Sequence, residues 1–107
     1  MLDSEQRQST RKVLKVKALL MMEGAETVLG RTVDVAGDGV CLLLGNSLKP
    51  GTIGTVRFEI FHEGKATSIT ARSRVQYCIL SSGEYKIGFQ FVNLELSAMA
   101  SLARFLR

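Results

Sequence analysis

Ile69-Thr70-Ala71-Arg72-Ser73-Arg74-Val75-Gln76-Tyr77 alternates apolar or small side chains with charged and polar ones, and Tyr85-Lys86-Ile87-Gly88-Phe89-Gln90-Phe91 repeats the pattern soon afterwards. A period of two belongs to a strand with one buried face. Ile69, Ala71, Ser73, Val75 and Tyr77 are therefore expected to face inward, with Thr70, Arg72, Arg74 and Gln76 outward. Ser81-Ser82-Gly83, between the two runs, has the composition of a hairpin turn. Upstream, Val56, Phe58 and Ile60 alternate with Arg57, Glu59 and Phe61, and His62-Glu63-Gly64 turns that strand into the long one. Val40-Cys41-Leu42-Leu43-Leu44 is apolar on both faces, as a strand lying under a second layer is. Glu26 to Val35 forms the strand before it, with Gly24 at the preceding turn and Gly30 as an interruption or bulge. Leu14-Lys15-Val16-Lys17-Ala18 starts the series with its lysines toward water.

The period changes near the end of the chain. Leu96, Met99, Leu102, Ala103 and Leu106 follow helical spacing, with Asn93 or Ser97 as N-cap and Arg104 and Arg107 at the end that favours cations. So short a helix is marginal in isolation and must dock this stripe on the sheet. The fold class is mainly β: a small antiparallel β-barrel of six or seven strands with a short C-terminal α-helix. A parallel sheet would need crossover helices between strands, and the sequence has none.

The chain has 107 residues, of which 46% are hydrophobic and one is proline, enough for one core and too few for two. Residues 1–12 read as a flexible basic arm and 13–107 as a single barrel domain. No apolar run approaches the roughly 20 residues of a membrane span. The first residues lack the apolar stretch of a secretory signal, so a cytoplasmic location is expected, without membrane insertion. Cys41 and Cys78 lie in apolar strands and read as small buried hydrophobes. The single histidine, His62, lacks a partner at metal-site spacing, and the serines have no evident base, so no catalytic or metal residue is expected.

The net charge of +4 is concentrated: residues 1–17 carry Arg7, Arg11, Lys12, Lys15 and Lys17 against Asp3 and Glu5. One localised anion site fits this distribution better than a broad nucleic-acid face. Arg7-Gln8-Ser9-Thr10-Arg11 sets two arginines four positions apart on a segment without apolar periodicity. Guanidinium forks grip phosphate oxygens, or the O6/N7 edge of guanine, in a two-pronged way that lysine does not reproduce. Asp34-Val35-Ala36-Gly37-Asp38-Gly39 offers a carboxylate able to accept guanine N–H donors beside glycine backbone that a ligand can approach.

The pairing of these stretches resembles the PilZ domain family, whose signature is R-x-x-x-R followed by [D/N]-x-S-x-x-G at the entrance of a strand. Arg7 and Arg11 match the first motif and Asp34 and Gly39 the second, while Ala36 stands where the pattern has Ser. Val75-Gln76-Tyr77 and the run from Tyr85 to Phe91 are similar to the family's late strands and its "iGvqF" segment, so the likeness covers nearly the whole chain. The resemblance implies a bacterial, non-enzymatic receptor for cyclic di-GMP, with no cofactor besides that ligand. It also implies relay to an unidentified effector protein by ordering of the arm. The ligand-binding residues it implies are Arg7, Arg11, Asp34, Ala36 and Gly39, with arginines on phosphates or bases, Asp34 on guanine N1–H and N2–H, and Gly39 shaping the turn. Two other readings stay open. One is a PilZ-like adaptor that has lost nucleotide binding, for which Ala36 is the clue. The other is a small barrel binding single-stranded nucleic acid, although most Phe and Tyr residues fall on inward phases.

Overall fold

The computed structural model describes residues 10–107. Among them are β1 (Lys12–Val13), β2 (Lys17–Met22), β3 (Val28–Ala36), β4 (Gly39–Leu44), β5 (Ile53–His62), β6 (Lys65–Ser81), β7 (Glu84–Asn93) and α1 (Leu96–Leu106). All pairings are antiparallel, in the order β1-β3-β2-β5-β6-β7-β4, and β4 pairs back onto β3. Six strands thus close into a barrel, with β1 as an outer strand beside β3, and closure removes the open edges of a flat sheet. Arg7 and the other residues up to Ser9 lie outside the described residues. Lys12, the last residue assigned to the arm, is already in the sheet opposite Val35.

Alternation predicts the interior well. Val56, Phe58, Ile60, Ile69, Ala71, Val75, Ile87 and Phe89 are all buried in one cluster with Val35, Val40, Leu42 and Leu44. The turns at Glu63-Gly64 and Ser82-Gly83 close hairpins in which His62 pairs with Lys65 and Ser81 with Glu84. Both non-glycine residues there have positive φ, 52° at Glu63 and 50° at Ser82, as tight hairpin turns require.

The structure corrects several expectations. The strand expected from Leu14 to Ala18 is broken: β1 ends at Val13 and β2 begins at Lys17. Buried Thr32 bridges the gap, its hydroxyl accepting from Val16 N–H at 2.9 Å and donating to the Leu14 carbonyl. The strand expected over Glu26 to Val35 spans Val28–Ala36, which puts Asp34 inside a strand rather than in a turn. Its irregularity falls between Thr32 and Asp34, whereas Gly30 pairs regularly with Ala18. A second bulge lies between Val75 and Tyr77, so Tyr77, expected inside, is 38% exposed.

The helix also turns differently from its apparent stripe. Leu102 and Phe105 enter the core against β5 and β6, Ala98 and Leu106 pack beside them, and Leu96 and Met99 stay on the outside, 82% and 48% exposed. Ala103 is exposed as well. The N-cap position is Glu95, not Asn93 or Ser97, and it makes no side-chain capping bond. Tertiary burial, at about 1.5–3 kcal/mol for each large apolar side chain, holds this helix more than capping does. No helix among the described residues is long and apolar enough to cross a membrane.

Candidate functional site

Two bulges aim the site. Thr32 faces inward, and strict alternation would send Asp34 inward after it. The extra residue, Val33, shifts the phase, so Val35 enters the core and the Asp34 carboxylate reaches the outer surface. In the same way Gln76 is the extra residue that carries Tyr77 out of the inward series of Ile69, Ala71, Ser73 and Val75. The register then lines up one transverse row on the outside of the barrel. Val13 is opposite Asp34, Asp34 opposite Cys41, Cys41 opposite Gly88, and Gly88 opposite Tyr77.

Arg11, just before β1, completes the row. Its Nε and Nη2 both donate to Asp34 Oδ1, at 3.1 and 2.7 Å, across 23 residues of chain. The Arg11 pKa is raised, first by this bond and against the opposing effect of burial. At 49% and 26% side-chain exposure the pair is a surface contact, worth about 0–1 kcal/mol, so a competing anion displaces it at little cost.

The Tyr77 ring lies over Gly88, where a Cβ would come within 2.2 Å of it. Its hydroxyl points to Cys41 Sγ at 3.7 Å. Burial, then the contact with Cys41, pushes the Tyr77 phenol up to about 12. Burial also pushes the Cys41 thiol up. Cys41 is buried as expected, but beneath Tyr77 on the outer side of the sheet rather than in the barrel interior, while Cys78 is half-buried. Both cysteines are free.

A second row runs beside the first, with Ala36 opposite Gly39, Gly39 opposite Gln90, and Gln90 opposite Arg74. Gln76 Nε2 donates to Gln90 Oε1 at 2.7 Å. Gly39 does not shape a turn through positive φ; a Cβ there would strike the Phe89 carbonyl oxygen at 2.3 Å, so close strand approach is what requires glycine. Ala36 is fully buried and offers no surface, although its strand position shares the Asp34 face. Arg11, Asp38, Gly39, Gln76, Tyr77, Gly88, Phe89 and Gln90 line a shallow pocket of about 200 Å³. Larger grooves lie beside α1, about 400 Å³, and across β2, β3 and β5, about 590 Å³. Each carries charged side chains of its own, Arg72 and Glu95 in the first and Lys17, Arg57 and Glu59 in the second, but neither contains Arg11, whose partner Asp34 lies at the edge of the smaller pocket.

The arrangement can bind an anion through Arg11, accept N–H donors at Asp34, and stack a planar group on the exposed part of Tyr77. Sequence reasoning brought Arg11, Asp34 and Gly39 together, but missed Tyr77, Gln76, Gly88 and Gln90. Gly88 was the available signal, because a glycine inside an alternating strand marks a place where something lies close over the backbone. Among the described residues no three His, Cys, Asp or Glu side chains cluster as metal ligands.

Residues 5–107 match the family defined as the PilZ domain. The chain belongs to the PilZ family. PilZ domains are non-catalytic cyclic di-GMP receptors, and this one is homologous to them. A search of curated proteins finds no match. Solved structures share the fold of this PilZ domain. The Bacillus subtilis inhibitor of motility (MotI/DgrA) is 16% identical with a TM-score of 0.82, over 92% of this chain and 48% of that one. Escherichia coli YcgR in complex with c-di-GMP is 16% identical with a TM-score of 0.75, over 92% and 43%. The K. pneumonia MrkH–c-di-GMP complex is 16% identical with a TM-score of 0.70, over 96% and 52%. The chain therefore spans about half the length of these structures or less.

Proposed function

We propose that this PilZ domain binds cyclic di-GMP on the outer rows of β3, β4, β7 and β6, and that it does so in the cytoplasm. The observation that carries this reading is the meeting of Arg11 and Asp34 across 23 residues on one exposed face, beside the ring of Tyr77. Arg11 and Arg7 grip the phosphates or a guanine edge, and Asp34, released as Arg11 exchanges its carboxylate for phosphate, accepts guanine N1–H and N2–H on its two oxygens. Gly39 lets β4 and β7 approach closely beneath the site, which sets the wall on which the ligand rests. Ala36, where the family pattern has Ser, is buried and contributes no hydroxyl, so the ligand is held without a contact at this position. The signal passes to a protein partner through ordering of the arm, residues 1–12, over the ligand. The two complexes with c-di-GMP on the same fold support the choice of ligand.

Calorimetric titration with cyclic di-GMP, with GTP and linear diguanylate as controls, tests the reading. Saturable heat with the cyclic ligand and little with the controls is expected. Neither heat nor amide shifts at millimolar ligand would leave the adaptor reading in its place.

A further inference from the structure

We propose that Lys12 couples the Arg11 site to the C-terminal helix, so that holding Arg11 and holding the last turn of α1 are linked events. The inference deepens the cyclic di-GMP reading and rests on it only for the identity of the ligand. Arg11 and Lys12 are consecutive, and consecutive side chains of an extended chain point to opposite faces. Arg11 turns outward to Asp34. Lys12 turns the other way, donating from Nζ to the Phe105 carbonyl at 3.0 Å and sitting 4.3 Å from the centroid of the Phe105 ring.

Each end of this contact has a physical reason. The Phe105 carbonyl is among the last four of α1, which have no partner within the helix, and it lies at the negative end of the helix dipole. The Phe105 ring is itself part of the core, so the ammonium grips a fixed group and not a fraying end. On the other side, β1 has only two residues, paired to Val35 and Asp34. With neighbouring Cα atoms about 3.8 Å apart and only two ladder pairs holding the strand, a backbone displacement at Arg11 is carried to Lys12. Anything that changes how Arg11 is held therefore changes how α1 is held, and linkage makes the effect reciprocal.

Amide hydrogen exchange at residues 103–106 tests this on the whole chain. Arg11→Ala should raise exchange there about two- to fivefold, the size of a charge interaction at a helix end, although the Arg11 guanidinium bonds to Asp34 on β3. Lys12→Met should raise it equally, Lys12→Arg should restore protection, and the Arg11→Ala/Lys12→Met double variant should add nothing to either single change. Saturating cyclic di-GMP should alter exchange at these amides in the natural sequence and not in Lys12→Met. If Arg11→Ala leaves exchange at 103–106 unchanged while Lys12→Met raises it, Lys12 is a helix cap alone and the coupling is wrong. If Arg11→Ala raises exchange but the natural sequence gives no heat with cyclic di-GMP, the coupling stands and the ligand reading fails.

Discussion

Arg11 places both of its hydrogen bonds on one Asp34 oxygen, so the same guanidinium that closes the surface pair is positioned to exchange it for phosphate. Arg11→Ala should lower cyclic di-GMP affinity by roughly 10- to 100-fold, the range for a charge-assisted bond, while Lys12→Ala, one residue away and facing α1, should lose far less. Equal losses in calorimetry would point to diffuse charge instead. Tyr77 gives a prediction in pH. Its folded pKa of about 12 lies above the ordinary value of about 10, so burial favours the neutral phenol. The associated stability is complete below pH of about 10 and is lost as pH rises through the folded value. Near-ultraviolet titration of the phenolate should show this late step, and Tyr77→Phe should abolish it. Arg11 and Asp34 were legible in the sequence because charge type and spacing survive translation into the fold. Tyr77 was not, because its exposure depends on one extra residue, Gln76, that looks like any other member of an alternating run.

Bulges explain why the elements were legible while their phases were not. Period two identified the long strands β5, β6 and β7 and most of the core, since a one-sided barrel wall selects for that pattern at every position. A single inserted residue flips every side chain after it, yet barely disturbs composition. The break between β1 and β2 has the same character, resolved only by the buried hydroxyl of Thr32. Thr32→Val keeps the volume but removes the acceptor for Val16 N–H, and should cost about 1–3 kcal/mol in urea unfolding. Gly88→Ala should lift the Tyr77 ring off β7, returning its titration toward the ordinary value at a cost of about 1 kcal/mol. Persistence of the late titration step in that variant would contradict the row of contacts described for Tyr77, Gly88 and Cys41. The helix was legible in length, whereas its docked face was not: two apolar stripes share α1, and only packing against β5 and β6 selects Leu102 and Phe105 over Leu96 and Met99.

For the whole molecule, a closed barrel with one docked helix provides a rigid wall on which a short outer strand carries the arginine. Phe105→Ala should destabilise by about 3–5 kcal/mol through the cavity it leaves, far more than Met99→Ala on the exposed face, as thermal unfolding would show. The positive charge gathered in residues 1–17 makes ligand association sensitive to ionic strength, because exposed charges are screened over about 10 Å at 0.1 M salt. The most direct test is calorimetric titration of cyclic di-GMP into the natural sequence and into Asp34→Ala, at low and high salt. The account predicts saturable binding that weakens with salt and is largely lost without the Asp34 carboxylate. Binding undiminished in Asp34→Ala would contradict the placement of the ligand on this face, and no binding by the natural sequence would contradict the receptor function itself.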